Sequence, residues 1–287
     1  MTDKNIALIN TPRRIAVIGA GIAGLSCATE LQGAGVTVRI FEKSRGPGGR
    51  MSTRRGEAWP CDHGAQFFTA QDPEFLAELI RWRQAGVAEL WTLRLLVLNG
   101  VAPLHHVDQP LTNTNHVDRI VGVPGMSAPG RWLADRLTVI TQATVNQLQR
   151  RSDGWHLRSA EHAWLDERFD AVLLALPAPQ AFALLNPLAR NLAEVARSAT
   201  MRGAWAMMLR FTSAVALPFD GAFVETGPLR WIARDSSKPN RRGPETWVFH
   251  ASPEWREAHI EDDAARLAQE LLHAFGQLGG SEPAAWS

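Results

Sequence analysis

A chain of 287 residues, 45% hydrophobic and 21% charged, has the make-up of a globular protein long enough for one large domain or two. Its 30 Lys+Arg against 29 Asp+Glu leave a formal net charge of +1, which excludes the broad positive field that nucleic-acid binding needs. Cys27 and Cys61 are too few for a disulfide scaffold, Met1 to Arg14 lacks the apolar run of a signal peptide, and no stretch approaches the ~20 apolar residues of a spanning helix, so a cytoplasmic protein without a membrane role is expected.

Residues 1–12 mix polar and apolar types without a period and read as a loose extension. From Arg13 the sequence runs RRIAVIGAGIAGLSCATELQGAGVTVRIFEKS, which is a βαβ unit in miniature. Ile15 to Ile18 suit a strand buried on both faces, Ile22, Leu25 and Leu31 recur near helical spacing, Gly33 and Gly35 end the helix, and Thr37 to Phe41 return as a strand.

Gly19, Gly21 and Gly24 form a GxGxxG pattern inside that unit. Gly19 permits the tight turn, Gly21 lets backbone approach a pyrophosphate, and Gly24 allows close helix–strand packing, while the helix N-terminus offers free N–H groups to the anion. Glu42 ends the second strand eighteen positions after Gly24, where it can accept hydrogen bonds from a ribose diol. The letters alone are a weak signal. With strand, helix, second strand and acid in register they predict a dinucleotide site.

The next stretch, KSRGPGGRMSTRR, sets Gly46, Gly48 and Gly49 before Arg50. A glycine loop followed by a guanidinium can serve a second face of a pyrophosphate, whereas an NAD domain more usually continues into another crossover helix. This favours FAD.

With EKSRGPGGRMSTRR and CDHGAQFFTAQDPEF in view, the chain resembles the renalase-type FAD-dependent oxidoreductases of the amine-oxidase-like flavoprotein superfamily. Further blocks match that group in order: Val121 to Leu137, Phe169 to Ala181, Pro228 to Arg241 and Thr246 to Trp255. The resemblance implies an α/β fold, a three-layer ββα FAD/NAD(P)-binding domain of Rossmann-like type with an inserted smaller α+β substrate domain. The expected parts are 13–70 and 121–185 for FAD, and 71–120 and 186–287 for substrate. Expected elements are a strand over Thr138 to Leu148, a helix over Gly125 to Leu137, a strand over Phe169 to Leu176, substrate-domain strands over Met201 to Phe211 and Trp247 to Ala251, and an amphipathic helix over Glu261 to Phe275.

Carried over by position, the resemblance implies that Gly19, Gly21, Ala23, Gly24, Glu42, Lys43, Gly49, Arg50 and Val145 hold the cofactor, with Gly64, Ala65, Gln66, Phe67 and Phe68 beside the isoalloxazine. Phe67 and Phe68 are adjacent on a strand and point to opposite faces, so only one of them can line the pocket, and core packing is the alternative for both. Gln66 is the candidate to orient substrate through its amide, His250 faces the substrate cavity, and Trp231 with Arg234 supplies a stacking face and a cation. The nine histidines are scattered, His105-His106 read as a polar loop, and no metal site is expected.

The implied activity is oxidation of dihydropyridine isomers of NAD(P)H with oxygen, giving NAD(P)+ and hydrogen peroxide; an amine or polyene substrate is the alternative. A lysine held near the flavin, typical of amine oxidases, is not identifiable from the sequence. The superfamily closes with a Gly-Asp segment and a helix, and no Gly-Asp pair occurs here before Ser287. From this, a shortened flavoprotein with weak cofactor binding and little activity is a further expectation.

Overall fold

The computed structural model describes residues 14–55, 59–99, 118–259 and 261–286. The expected extension over 1–12 and the His105-His106 loop lie outside them. The described chain forms two compact units, one from the parts before Gly49 and from Gly130 to Met201, the other from Arg50 to Pro129 and after Arg202.

The first unit is built on a four-stranded parallel sheet in the order Ala171–Leu174, Arg14–Ile18, Thr37–Phe41, Val139–Ile140. Arg14–Ile18 is central because Ala16, Val17 and Ile18 can be buried on both faces. Helix Ile22–Gly33 packs against this strand and the next. On the opposite face Ala16, Ile18 and Phe41 join Leu148, Leu157 and Phe169 of an antiparallel sheet, Val145–Arg151, Gly154–Ser159 and Ala163–Phe169. Helix, parallel sheet and antiparallel sheet make the expected ββα layering, and a helical hairpin, Ala178–Leu185 and Arg190–Ser198, belongs to the same unit.

The second unit centres on a six-stranded sheet in the order Ala285–Trp286, Ala206–Phe211, Glu245–Ala251, Leu229–Arg234, Gly221–Val224, Leu95–Leu98. Helix Ala264–Gln277 is capped by Asp263, whose side chain accepts from Ala265 N and Arg266 N, and it lays Leu267, Ala268, Leu271, Ala274 and Phe275 inward. Of these, Ala268, Leu271, Ala274 and Phe275 cover one sheet face together with Trp247 and Phe249. Against the other face pack Cys61, Trp91, Val121 and Met126 beside Met208, Trp231, Ala233 and Val248, with Ala65, Phe67 and Phe68 at the margin. Among the described residues no helix is long and apolar enough to cross a membrane.

Three expectations need correction. The strand expected over Thr138 to Leu148 is two strands in different sheets, because Gln142 turns the chain with φ +53° between Val139–Ile140 and Val145–Arg151. The strand expected over Phe169 to Leu176 is likewise divided: Phe169 ends an antiparallel strand, and Ala171–Leu174 enters the parallel sheet. The units exchange at residues 49, 129 and 201 instead of 70, 120 and 185. Residues 50–70 belong to the second unit because Cys61, Ala65, Phe67 and Phe68 pack with its sheet.

Candidate functional site

In the first unit, strand Arg14–Ile18 runs into Gly19, whose φ of +107° and contact with the Ala175 backbone, 2.5 Å from where a Cβ would stand, exclude any side chain. At Gly24 a Cβ would collide with the Gly19 carbonyl oxygen, so the helix can lie this close only with glycine there. Gly21 differs: a Cβ there meets nothing within 4 Å. Packing does not demand glycine at 21.

Gly21 is also the N-cap of helix Ile22–Gly33, and no side chain caps that end. First-turn N–H groups and the positive end of the helix dipole are left for an anion. The second glycine stretch lies alongside: Gly48 N donates to Ala20 O at 2.9 Å, Gly21 and Gly48 form a β-bridge, and a Cβ on Gly49 would stand 3.1 Å from Gly21 Cα. Two glycine turns pressed together, one at a bare helix end, offer the free N–H groups and the side-chain-free surface that a bound phosphate requires.

Glu42 is buried at the end of Thr37–Phe41, where Oε2 accepts from Ala20 N and Oε1 from Ser44 N, each at 2.8 Å. The carboxylate therefore ties the glycine turn to the second strand, and its unused lone pairs can still accept from a ribose. Ala23 is exposed on the helix, exposed Lys43 reaches Gln180 Oε1 at 3.5 Å, and Val145 is buried at the start of its strand.

In the second unit, Phe223, Trp231, His250 and Ala206 stand in register across neighbouring strands, so their side chains share one sheet face. Trp231 packs on Phe223 and Phe67 with ring centroids 4.6 and 5.7 Å away, and its buried Nε1 has no partner. His250 Nε2 lies 3.0 Å from His63 O. A carbonyl oxygen can only accept, so Nε2 carries the proton and Nδ1 the lone pair. Burial, then repulsion from Lys238 and His63, hold the ring below the usual histidine range against the raising effect of its hydrogen bond. His63 is likewise lowered, by burial first and then by Arg54.

Behind His63 sits a polar cluster. Asp62 is fully buried: Oδ1 accepts from Thr53 Oγ1 at 2.6 Å and Met126 N at 3.0 Å, and Oδ2 from Lys238 Nζ at 3.2 Å and Arg241 Nη2 at 2.5 Å. Burial works to raise its pKa, but Lys238, Arg241 and the hydrogen bonds outweigh it and hold the carboxyl below its ordinary value. Buried Lys238 also donates to Asp235 Oδ1 at 2.6 Å and Gln66 Oε1 at 3.3 Å. An ammonium has three protons, and all three have acceptors here. Asp235 is held above its ordinary pKa, chiefly by burial. Cys61, at the edge of this cluster, is a buried thiol pushed well up by burial.

This geometry revises the sequence-based roles. Gln66 does not offer a free amide to substrate: Nε2 donates to Asp62 O and to Gly64 O, and Oε1 accepts from Lys238. It is a buried strut. Trp231 and Arg234 do not form a pair, because residues three apart on a strand face opposite ways. Arg234 lies over the Trp247 ring at 4.9 Å, pairs with Glu245 at 3.2 Å and Asp220 at 3.6 Å, and donates to Val215 O. Phe67 meets Trp231, and Phe68 turns instead to Phe75 and Trp82. At Gly64 a Cβ would collide with Arg50 O, which also accepts from Ala65 N, so that segment is held at its backbone while the Arg50 side chain is exposed.

Sequence reasoning missed Asp62, His63, Asp235 and Arg241, and found no lysine for the site. The available signal was Lys238 itself: the chain has three lysines, and this one sits in RDSSKPNR, where charges of both signs crowd between two strands.

Residues 17–80 match the model of the NAD(P)-binding Rossmann-like domain. An L-amino-acid oxidase of Sistrurus catenatus edwardsii is 44% identical over 64 residues, 22% of this chain and 12% of that protein. The zeta-carotene-forming phytoene desaturase of Myxococcus xanthus is 39% identical over 69 residues, 24% and 13% of the respective lengths. The chain thus matches about an eighth of the length of these relatives. Among solved structures, a triple mutant of putrescine oxidase superposes with a TM-score of 0.74 at 15% identity, covering 96% of this chain and 84% of that one. Cyclohexylamine oxidase from Brevibacterium oxydans gives 0.72 at 13% identity, covering 96% and 84%. The chain carries the NAD(P)-binding Rossmann-like motif over residues 17–80 and shares its fold with putrescine oxidase and cyclohexylamine oxidase.

Proposed function

We propose that the chain is an FAD-dependent oxidoreductase of renalase type, oxidising dihydropyridine isomers of NAD(P)H with oxygen as acceptor and yielding NAD(P)+ and hydrogen peroxide. The observation that carries the cofactor is Gly21: an open Cβ position on an uncapped helix end, with Gly48 and Gly49 pressed against it, fits a pyrophosphate and has no packing reason of its own. Gly19, Gly21, Ala23, Gly24, Gly49 and Glu42 would hold the adenosine and pyrophosphate, with Lys43, Arg50 and Val145 assigned to the same cofactor. Bound FAD would supply the hydride acceptor.

The chain's own part is to present a donor carbon and keep the site neutral. Trp231, Phe67 and Phe223 form an aromatic wall suited to a planar ring, and His250 stands in register with Trp231. With Nε2–H on His63 O, His250 offers a lone pair at Nδ1, able to accept from a carboxamide N–H.

An amine substrate is the second reading, suggested by the fold shared with putrescine and cyclohexylamine oxidases. An ammonium needs a carboxylate or an aromatic cage to replace its hydration. Asp62 and Asp235 are already matched by Lys238 and Arg241, so an amine would have the Trp231, Phe67 and Phe223 wall but no free carboxylate from this cluster, which favours the neutral ring.

The test is flavin reduction under anaerobic conditions. Isomers of NAD(P)H reduced at ring position 2 or 6 should bleach the visible spectrum of the purified protein rapidly, and 4-dihydro NADH, putrescine and cyclohexylamine should not. Rapid bleaching by an amine would replace the first reading with the second, and absence of bound flavin after reconstitution would remove both.

A further inference from the structure

The polar cluster behind His63 takes no part in the function proposed above, yet it buries four charged groups in one place. We propose that Lys238 is a positioning residue, whose ammonium, acting through Gln66 and Asp62, fixes the His63 carbonyl and with it the ring state of His250. The inference rests on His250 being the residue that faces substrate.

Lys238 lies 172 residues from Gln66 and 176 from Asp62, and donates to both as well as to Asp235. It therefore joins the segment after strand Leu229–Arg234 to the loop that carries His63. Its hold on that loop is double. Asp62 anchors one end through its carboxylate, which Thr53, Met126 N and Arg241 also engage. Gln66 anchors the other: its carbonyl takes the ammonium, and its amide protons reach back to Asp62 O and Gly64 O. Two peptide carbonyls are thus turned toward the Gln66 amide. The carbonyl between them in sequence is His63 O, and this is the one on which His250 Nε2 sits. Freed of the Gln66 strut, the peptide planes on either side of His63 lose their fixed orientation, and the His250 ring loses the acceptor that selects its tautomer.

Charge balance explains why the strut ends in an ammonium. A neutral donor could hold Gln66 equally well but would leave Asp62 and Asp235 with Arg241 alone, two buried carboxylates on one cation. Removing one partner of such a set is strongly disruptive, whereas removing an oppositely charged pair together preserves neutrality.

Two variants of the full chain test this. Gln66→Met keeps all four charges and the side-chain volume but cuts the strut. Lys238→Met combined with Asp235→Asn removes the ammonium with one carboxylate. In the parent, long-range nitrogen NMR of the imidazoles should show His250 as the Nε2–H tautomer alone. In Gln66→Met the tautomers should mix, the His250 titration midpoint should fall as the hydrogen bond to His63 is lost, and flavin reduction by the dihydropyridine isomers should slow about tenfold or more, mainly in kcat. The double variant should show the same mixing of tautomers. Variants that fold, keep a pure Nε2–H tautomer and reduce flavin within about twofold of the parent overturn the proposal. Loss of fold in both overturns it as well, by making the cluster a folding element. If the tautomer responds as expected but His250→Ala leaves flavin reduction unchanged, the positioning stands and the substrate-facing reading of His250 falls.

Discussion

His250 donates from Nε2 to the carbonyl oxygen of His63 at 3.0 Å, and both rings are held below the ordinary histidine pKa, each mainly by burial. A base whose folded pKa is depressed takes up fewer protons folded than unfolded, so its contribution to stability is complete above the unfolded value, 6.5, and is lost as pH falls from there toward the folded value. Melting temperature should therefore decline from about pH 7.5 to about pH 5.5. His250→Asn, which can still donate to His63 O, should flatten that decline relative to the parent. An identical slope in both proteins would show that the fold does not hold the His250 ring neutral.

The glycines of the first unit make a paired prediction. Gly21→Val adds a Cβ that meets no protein atom within 4 Å, so the apo protein should melt within about 1 kcal/mol of the parent while dinucleotide binding is abolished. Gly24→Ala adds one carbon against the Gly19 carbonyl oxygen and should destabilise the apo fold by about 1–3 kcal/mol. Thermal melts with and without added FAD separate the two. Equal damage to the apo fold by both substitutions would mean that Gly21 is a packing glycine.

What could be read in advance follows from how local the signal is. The βαβ unit was legible because strand, glycine turn, helix and acid lie within one stretch of sequence, and Gly24 answers to Gly19 within it. Gln142 was not, since nothing in Thr138 to Leu148 marks the single left-handed residue that sends its two halves into different sheets. The cluster of Asp62, Asp235, Lys238 and Arg241 was beyond reach for another reason: its members meet across 176 and 179 residues and have no period. The separation of Trp231 from Arg234 was readable, because a strand alternates faces and three is an odd step.

Arg234→Ala should behave as a stability variant. The guanidinium covers Trp247, pairs with Glu245 and Asp220, and donates to Val215 O, all within the second unit. Truncation leaves Glu245 short of a partner and uncovers the indole, for an expected loss of about 1–3 kcal/mol in denaturant unfolding. The rate of flavin reduction at saturating substrate should stay within about twofold. A large fall in that rate with unchanged stability would return Arg234 to the substrate site.

Glu42→Gln is the sharpest test of how the cradle is held. In the native protein both carboxylate oxygens accept backbone N–H groups, Ala20 N on one side and Ser44 N on the other. An amide keeps one acceptor and replaces the other by an NH2 group, so one of the two N–H groups must face a donor. The group is buried and water cannot fill the gap, so the substitution should cost about 1–3 kcal/mol of apo stability before any cofactor is considered. Ala20 lies between Gly19 and Gly21, and a turn loosened there presents its N–H groups to the pyrophosphate less well. FAD affinity should fall along with the melting temperature, and added FAD should restore less stability than in the parent. Glu42→Asp, which keeps the charge but shortens the reach, should fall in between. If Glu42→Gln instead weakens FAD binding while the apo protein melts unchanged, Glu42 serves the ribose alone and the two backbone hydrogen bonds contribute nothing to the fold.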